Sequence, residues 1–152
     1  MRLDETDKKI LRVLQRDGRI ANNDLAREVG LSPSPCLRRV KLLEEAGVID
    51  RYVAVLNPAK VNKGLTFFTR IKLDKQDEKS LKHFADEIKK LPQVLECYFM
   101  LGDYDVIIRV VAADLEDYRR FQSESLSQIE GVQNLKTDVL SQTVKQSFVV
   151  PV

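Results

Sequence analysis

Hydroxyl and cationic side chains are concentrated in one short segment, residues 32–41, which also contains two prolines. Side chains of these types hydrogen-bond to the phosphates and base edges of duplex DNA. If the apolar residues of the segment face inward on a helix, five others point outward: Ser34, Pro35, Arg38, Arg39 and Lys41. The spacing therefore favours a helix that enters a DNA major groove. A solvated face on a helical hairpin would carry the same residue types, so the residues alone leave both interpretations open.

A second group with chemical potential is the run Leu101, Gly102, Asp103, Tyr104 and Asp105. A glycine beside two carboxylates and a phenol presents backbone N–H groups and acidic oxygens together. An amino acid needs this combination, because its ammonium group requires acceptors and its carboxylate requires donors. Without other information, however, Gly-Asp between two strands is more typical of a simple hairpin turn.

Other chemistries are not favoured by the residues present. The chain has one histidine, His83, and two distant cysteines, Cys36 and Cys97, which fit no metal-ligand spacing. No phosphate loop, activated nucleophile or convincing pair of carboxylates is found. We therefore predict no enzyme activity, no catalytic residues, no bound metal and no cofactor.

Length and composition limit the class of protein further. The chain has 152 residues, of which 43% are hydrophobic and 32% charged, as in a soluble chain with one domain or two small ones. No apolar run approaches the roughly 18 residues that suggest a membrane span, and the N-terminus lacks a secretory signal, so we expect a cytoplasmic protein. Residues 1–64 carry a net charge of +4 and residues 65–152 a net charge of −2. This asymmetry predicts two modules with different partners.

The first module reads as three helices. Asp4 is a suitable N-cap for a first helix that ends at Asp17-Gly18; Asn22 or Asn23 caps a second helix, which stops at Gly30. The third helix begins after Ser32, and both prolines lie in its first turn, where missing N–H groups cost little. These elements form a helix-turn-helix. Residues 48–56 are predicted to form two short strands as a wing, with Arg51 near the DNA backbone. The predicted DNA-binding domain is residues 1–56, followed by a linker at 57–64.

Residues 65–152 read as β-α-β-β-α-β. Strands are predicted at 65–73, 94–101, 104–111 and 132–144, and helices at 77–91 and 114–131. This order predicts an α+β, ferredoxin-like sandwich with both helices on one face of an antiparallel sheet.

The strands also predict how copies of the chain associate. On 94–101, one face carries Leu95, Cys97, Phe99 and Leu101, and the other carries Val94, Tyr98 and Met100. Two helices cover only one side, so the other keeps enough apolar surface to favour a homodimer with sheet packed on sheet. The alternative is a monomer with a half-polar second face.

Several segments together resemble a known family: residues 3–11 (LDETDKKIL), 17–20 (DGRI), 29–36 (VGLSPSPC), 102–105 (GDYD) and 144–147 (VKQS). The chain is identified from them as similar to the Lrp/AsnC (leucine-responsive/asparagine-regulator) transcription factors. The resemblance implies a winged helix-turn-helix joined to a dimerising, effector-binding domain. It further implies that dimers assemble to octamers on double-stranded DNA and respond to an amino acid such as leucine, methionine or another.

The resemblance also assigns residues. It assigns effector binding to Leu101 and the turn Gly102–Asp105. The last strand is expected to complete this site with Val139, Ser141 and Thr143. For DNA, Asn22, Ser32 and Arg51 join the outward residues of the third helix. Two alternatives remain: a DNA-binding architectural protein without an effector, and a ferredoxin-like RNA binder. The second would stack bases on aromatic residues of a central strand, whereas residues 106–111 are aliphatic apart from Arg109.

Overall fold

The structure is a computed structural model that describes all 152 residues. The chain forms two compact units, one of Met1–Ala54 with Val144–Val152 and the other of Val55–Thr143. None of the helices combines the length and the apolar character that crossing a bilayer requires.

Three helices build the first unit: α1 (Glu5–Arg16), α2 (Asn22–Val29) and α3 (Pro33–Glu45). A capping box starts α1, in which the Asp7 N–H donates to Asp4 Oδ1 at 2.8 Å and the Asp4 N–H donates to Asp7 Oδ2 at 3.1 Å. The three helices enclose a core of buried residues: Ile10, Leu11, Val13, Leu25, Ala26, Val29, Cys36 and Leu43. The helix-turn-helix prediction is confirmed in these elements.

Two local predictions for this unit were wrong. Asn22 is already the first residue of α2, whose N-cap is Ala21 without a side-chain hydrogen bond. Residues 48–56 contain no strand. The N–H groups of Val48 and Ile49 donate to the Leu43 carbonyl, and the Tyr52 O–H donates to Glu44 Oε1 at 3.0 Å. The segment therefore closes back on α3, and residues 50–56 make no backbone hydrogen bond that could start a hairpin.

The second unit is an antiparallel sheet with two helices on one face. Its strands are β1 (Leu65–Leu73), β2 (Val94–Phe99), β3 (Val106–Ala112) and β4 (Val132–Val139), in the order β2-β3-β1-β4. Helices α4 (Glu78–Ile88) and α5 (Leu115–Glu124) bury Phe84 and Phe121 in the core with Phe67 and Ile108 of the sheet. Short 3₁₀ turns lie at Pro58–Val61 and Leu126–Gln128. The predicted α+β, ferredoxin-like fold is confirmed.

Three strands are shorter than predicted. β2 ends at Phe99 and β3 begins at Val106, so a six-residue loop replaces the predicted two-residue turn. β4 ends at Val139, after which only the Leu140 N–H still donates to the sheet, at Thr66. The pairing of β2 with β3 also shifts between Val94 and Glu96, so strict alternation fails there. Val94 therefore pairs on the same face as Cys97 and Phe99, rather than opposite them.

The sheet face away from α4 and α5 carries both apolar residues and arginines that pair with carboxylates. The register places Phe68, Tyr98 and Ile107 on this face. Arg109 Nη2 lies 2.8 Å from Glu96 Oε1, and Arg70 pairs with Asp138 in the same way. Covering this face would therefore bury neither arginine without a partner, whereas Lys136, which lies opposite Arg70 on the same face, has no ion pair.

Candidate functional site

The turn between α2 and α3 is held by backbone geometry and by one side chain. Gly30 has a φ of +77°, which favours glycine, and the Leu31 N–H donates to the Ala26 carbonyl at 2.8 Å. Asn22 Nδ2 donates to the Pro33 carbonyl at 2.9 Å and so joins the start of α2 to the start of α3. The donor of Asn22, a predicted DNA-binding residue, is therefore used within the turn.

The outer face of α3 presents several of the predicted DNA-binding residues to solvent. The exposed ones are Ser32, Ser34, Pro35, Arg38 and Lys41. Arg38 and Lys41 form neither an ion pair nor a side-chain hydrogen bond within the chain, which leaves both cations free for an anionic partner. Arg51 is also exposed, and its only ion pair is with its neighbour Asp50 at 3.1 Å.

Arg39 does not point outward as predicted. Its Nη1 lies 2.8 Å from Asp4 Oδ2 and 2.7 Å from Asp7 Oδ1. The Asp7 side chain is only 4% exposed, so the guanidinium of Arg39 neutralises a buried carboxylate. These bonds raise the pKa of Arg39. The pKa of Asp4 is lowered, first by the hydrogen bond from the Asp7 N–H and then by Arg39. Arg39 thus ties α3 to the capping box of α1.

Asp105 and Asp103 have different environments in the loop between β2 and β3. Asp105 Oδ2 accepts from the Leu73 N–H at 2.7 Å, and its Oδ1 accepts from Gln76 Nε2 at 3.2 Å. The Asp105 carboxylate, 13% exposed, therefore fastens the loop to the end of β1. The Asp103 carboxylate is exposed and makes no hydrogen bond or ion pair.

An open cavity of about 530 Å³ lies beside this loop and is lined by Lys72, Asp103, Tyr104, Gln133 and Asn134. Lys72 Nζ donates to the Asp103 carbonyl at 3.2 Å and lies 3.9 Å from Asp105 Oδ1. The Arg70 guanidinium lies 5.2 Å from the centre of the Tyr104 ring, a cation–π distance. A free carboxylate and an ammonium group face the same space, which suits a small zwitterion.

The structure brings together only part of the predicted effector set. Leu101 is fully exposed, and an added Cβ at Gly102 would meet no atom within 4 Å. Val139 is the last residue of β4, whereas Ser141 and Thr143 lie beyond the strand and make no side-chain hydrogen bond. The sequence interpretation had placed Ser141 and Thr143 on the last strand, and that placement was wrong.

Sequence reasoning missed the lining residues of β1 and β4. Lys72, Gln133 and Asn134 were not among the predicted site residues, although they line the cavity with Asp103 and Tyr104. The signal for Lys72 was its position, because alternation along β1 places it with Arg70 on the face away from the helices. No comparable signal marks Gln133, since β4 is irregular where it pairs with Leu73.

Comparison with known proteins gives matches over both units. The family model described as "Lrp/AsnC ligand binding domain" matches residues 66–150, and a "Winged helix-turn-helix DNA-binding" model matches residues 3–50. The chain is 39% identical over 150 residues to the transcriptional regulator AzlB of Bacillus subtilis, which covers 99% of this chain and 96% of that protein. It is also 39% identical over 145 residues to the leucine-responsive regulatory protein of Escherichia coli, covering 95% and 88% of the two chains.

Solved structures agree with these matches. A transcriptional regulator from Neisseria meningitidis in complex with L-Met superposes with a TM-score of 0.94 at 37% identity, covering 99% of this chain and 97% of that one. An AsnC family transcriptional regulator from Agrobacterium tumefaciens gives a TM-score of 0.93 at 39% identity, covering 98% and 97%.

Proposed function

The chain belongs to the Lrp/AsnC family, and on that premise we propose that it is a sequence-specific DNA-binding transcription regulator whose assembly or DNA affinity responds to a small amino acid. The observation that carries the proposal is the pairing of two features within one chain. One is a helix-turn-helix with unpaired cations on α3, and the other is a cavity that offers Lys72 and the free carboxylate of Asp103. We place the protein in the cytoplasm, where both duplex DNA and free amino acids are accessible.

We assign DNA binding to residues 1–56, the linker to 57–64 and effector binding and dimerisation to residues 65–152, of which Val144–Val152 pack with the DNA-binding unit. Ser34, Pro35 and Arg38 at the start of α3 are proposed to set its placement in the major groove. Lys41 and Arg51 then contact phosphates, and Ser32 lies at the N-terminal end of the same surface. Asn22 and Arg39 act through the fold, because their polar groups already bind Pro33 and Asp4 with Asp7.

For the effector, we propose an α-amino acid held at the loop between β2 and β3. Its ammonium group is expected at Asp103, and its carboxylate at Lys72 or at the backbone N–H groups near Gly102. Asp105 holds the loop in place. In a single chain the cavity is open, and Val139, Ser141 and Thr143 of a neighbouring copy are the proposed covering. L-Met is bound in the Neisseria relative and the Escherichia coli relative is named for its response to leucine, so methionine and leucine are the first candidates.

We further propose that the chain forms a homodimer through the sheet face that carries Phe68, Tyr98 and Ile107, and that dimers assemble to octamers. Arg70 and Arg109 on this face already have carboxylate partners, so burying them with the apolar residues gains apolar contact without leaving either arginine unpaired. C2 symmetry is the commonest arrangement for such pairs. No catalytic role is proposed.

The proposed binding of an amino acid is tested first by a thermal-shift screen of the twenty amino acids. The best one is then titrated by calorimetry into wild type and into Asp103→Ala. The variant is expected to bind at least tenfold more weakly. Equal binding in both would remove the Asp103 carboxylate from the site.

The DNA arm starts from a duplex selected from a random-sequence pool, with anisotropy measured with and without that amino acid. Sequence-selective binding that changes with the amino acid supports the regulator. Binding without selectivity or response would instead indicate an architectural protein.

A further inference from the structure

The segment Val144–Val152 belongs to the DNA-binding unit, although it follows the last strand of the other unit. Gln15 Nε2 donates to the Val150 carbonyl at 3.0 Å, and the Val150 N–H donates to Gln15 Oε1 at 2.6 Å. Arg12 Nε donates to the Val152 carbonyl at 2.8 Å. The Val149 N–H donates to Ser147 Oγ at 3.1 Å, which fixes the bend that leads into these contacts.

Gln15 and Arg12 are three residues apart and therefore lie on the same side of α1. A side-chain amide that both donates to and accepts from one residue reproduces the reciprocal pair of bonds between two antiparallel strands. All three bonds go to main-chain groups of the tail, and none goes to a tail side chain. The chemistry of this surface therefore suits an extended peptide backbone.

We propose that Arg12 and Gln15 form a main-chain binding site that captures the chain's own residues 148–152 as a strap. The strap gives the DNA-binding unit a second connection to the other unit, covalent at the end of β4 and hydrogen-bonded at α1, in addition to the linker at residues 57–64. Because the tail is part of the same chain, its effective concentration at α1 is high, and a few hydrogen bonds suffice to hold it. Held by two paths instead of one, the DNA-binding unit loses orientational freedom before it meets DNA.

Docking of the strap is tested in the full-length chain by hydrogen–deuterium exchange of the peptide that covers residues 148–152. Gln15→Leu removes both bonds to Val150, and exchange of the Val150 amide is expected to accelerate at least tenfold. Gln15→Glu keeps the acceptor and removes the donor. Exchange of the Val150 amide in this variant should therefore be faster than in wild type and slower than in Gln15→Leu. Lys9→Ala is the matched control, because Lys9 is an exposed residue of α1 without a side-chain hydrogen bond. Wild-type exchange as fast as in Gln15→Leu would overturn the strap.

Its consequence for DNA rests on the proposed function and is measured with the selected duplex. Gln15→Leu is expected to weaken binding about three- to tenfold, because freedom that the strap had removed must now be lost on binding. The salt dependence should stay unchanged, since Gln15 carries no charge. Unchanged affinity despite a released tail would overturn the tether role. A wild type that fails to bind DNA would refute the proposed function, while exchange at Val150 would still report docking.

Discussion

The guanidinium of Arg39 on α3 donates to the nearly buried carboxylate of Asp7 on α1, with Nη1 and Oδ1 2.7 Å apart. Asp7 is also the residue that completes the capping box of α1. One carboxylate therefore both starts the first helix and fixes the position of the third. Arg38, the next residue along α3, is exposed and unpaired. Two adjacent arginines thus have separate roles.

These roles predict opposite effects for two matched substitutions. Arg39→Met leaves the buried carboxylate of Asp7 without its cation, and the free energy of unfolding should fall by about 1–3 kcal/mol. Arg38→Met removes only an exposed charge and should change stability by less than about 0.5 kcal/mol. Urea unfolding measures both. In DNA titrations across salt concentrations, Arg38→Met should weaken binding and reduce the salt slope by about one. A loss of stability in Arg38→Met together with a loss of DNA affinity alone in Arg39→Met would contradict both assignments.

Asp105 is expected to matter for stability rather than for direct ligand contact. Asp105→Ala removes the acceptor of the Leu73 N–H and of Gln76. The lost bonds should lower the free energy of unfolding by about 1–2 kcal/mol. Asp103→Ala, which breaks no side-chain bond, serves as the comparison and should unfold like wild type. Thermal unfolding without any amino acid measures the difference, and equal melting temperatures for the two variants would contradict it.

Acid should weaken the start of α1 through Asp4. Its pKa is held below the ordinary value of 3.8, chiefly by the hydrogen bond from the Asp7 N–H. A carboxylate whose pKa is lower in the folded state stabilises the fold above its unfolded pKa, and this stability is lost as pH falls through the folded pKa. Asp4→Asn keeps an N-cap side chain but removes the charge. The wild type should be more stable than this variant at pH 7, and the gap should narrow as pH falls below the ordinary value of 3.8 and close once pH is below the folded pKa. A gap that is independent of pH would reject the assignment.

Tyr52 should report the packing of the segment after α3. Burial, and then the hydrogen bond to Glu44, raise the pKa of Tyr52 to about 12. Spectrophotometric titration of the phenols should show a step near that pH, which Tyr52→Phe removes and Glu44→Gln moves to lower pH. Because the folded pKa is raised, the stabilising contribution is present below the unfolded value near 10 and is lost as pH rises towards 12. Retention of the step in Tyr52→Phe would show that another group titrates there.

The proposed dimer can be broken at one position of the sheet. Ile107 lies on the face away from the helices, so Ile107→Lys should place an unpaired charge in the interface. Sedimentation velocity should then give a smaller mass than wild type, and that of a single 17.4 kDa chain where the dimer face is what holds the assembly together. Leu115→Lys changes another exposed apolar residue, at the start of α5, and should leave the mass unchanged. Identical masses for both variants and wild type would place the interface elsewhere.

Helix periodicity and capping predicted most of the fold, because those signals are local. Asp4 caps α1 and Gly30 ends α2, as their residue types indicate. The orientation of Arg39 could not be predicted in this way, since its partners are 32 and 35 residues away on another helix. Position on a helix indicates which residues face outward, but only the packed structure shows which charges already have partners.

The loop residues of the candidate effector site could be predicted from the sequence, whereas the residues of the neighbouring strands that line the cavity could not. The run of glycine, two aspartates and a tyrosine can be read directly from the sequence, and the resemblance to the family assigns it to effector binding. Asp103 and Asp105 differ only because the second reaches the end of β1, a contact set by strand register. Lys72 and Asn134 likewise depend on which strands become neighbours. The irregular pairing at Val94 and Glu96 altered the alternation of faces in the same long-range way.

The strand order leaves β2 and β4 at the borders of the sheet, each with a row of main-chain groups open to another strand. Such borders are where polypeptides grow into fibrils. Here β4 carries Lys136 and Asp138 at alternate positions, and the irregular start of β2 disrupts the flat template that a foreign strand would need. In a chain in which 43% of residues are hydrophobic, the charges on β4 and the irregularity of β2 therefore disfavour the addition of further strands at the two sheet edges.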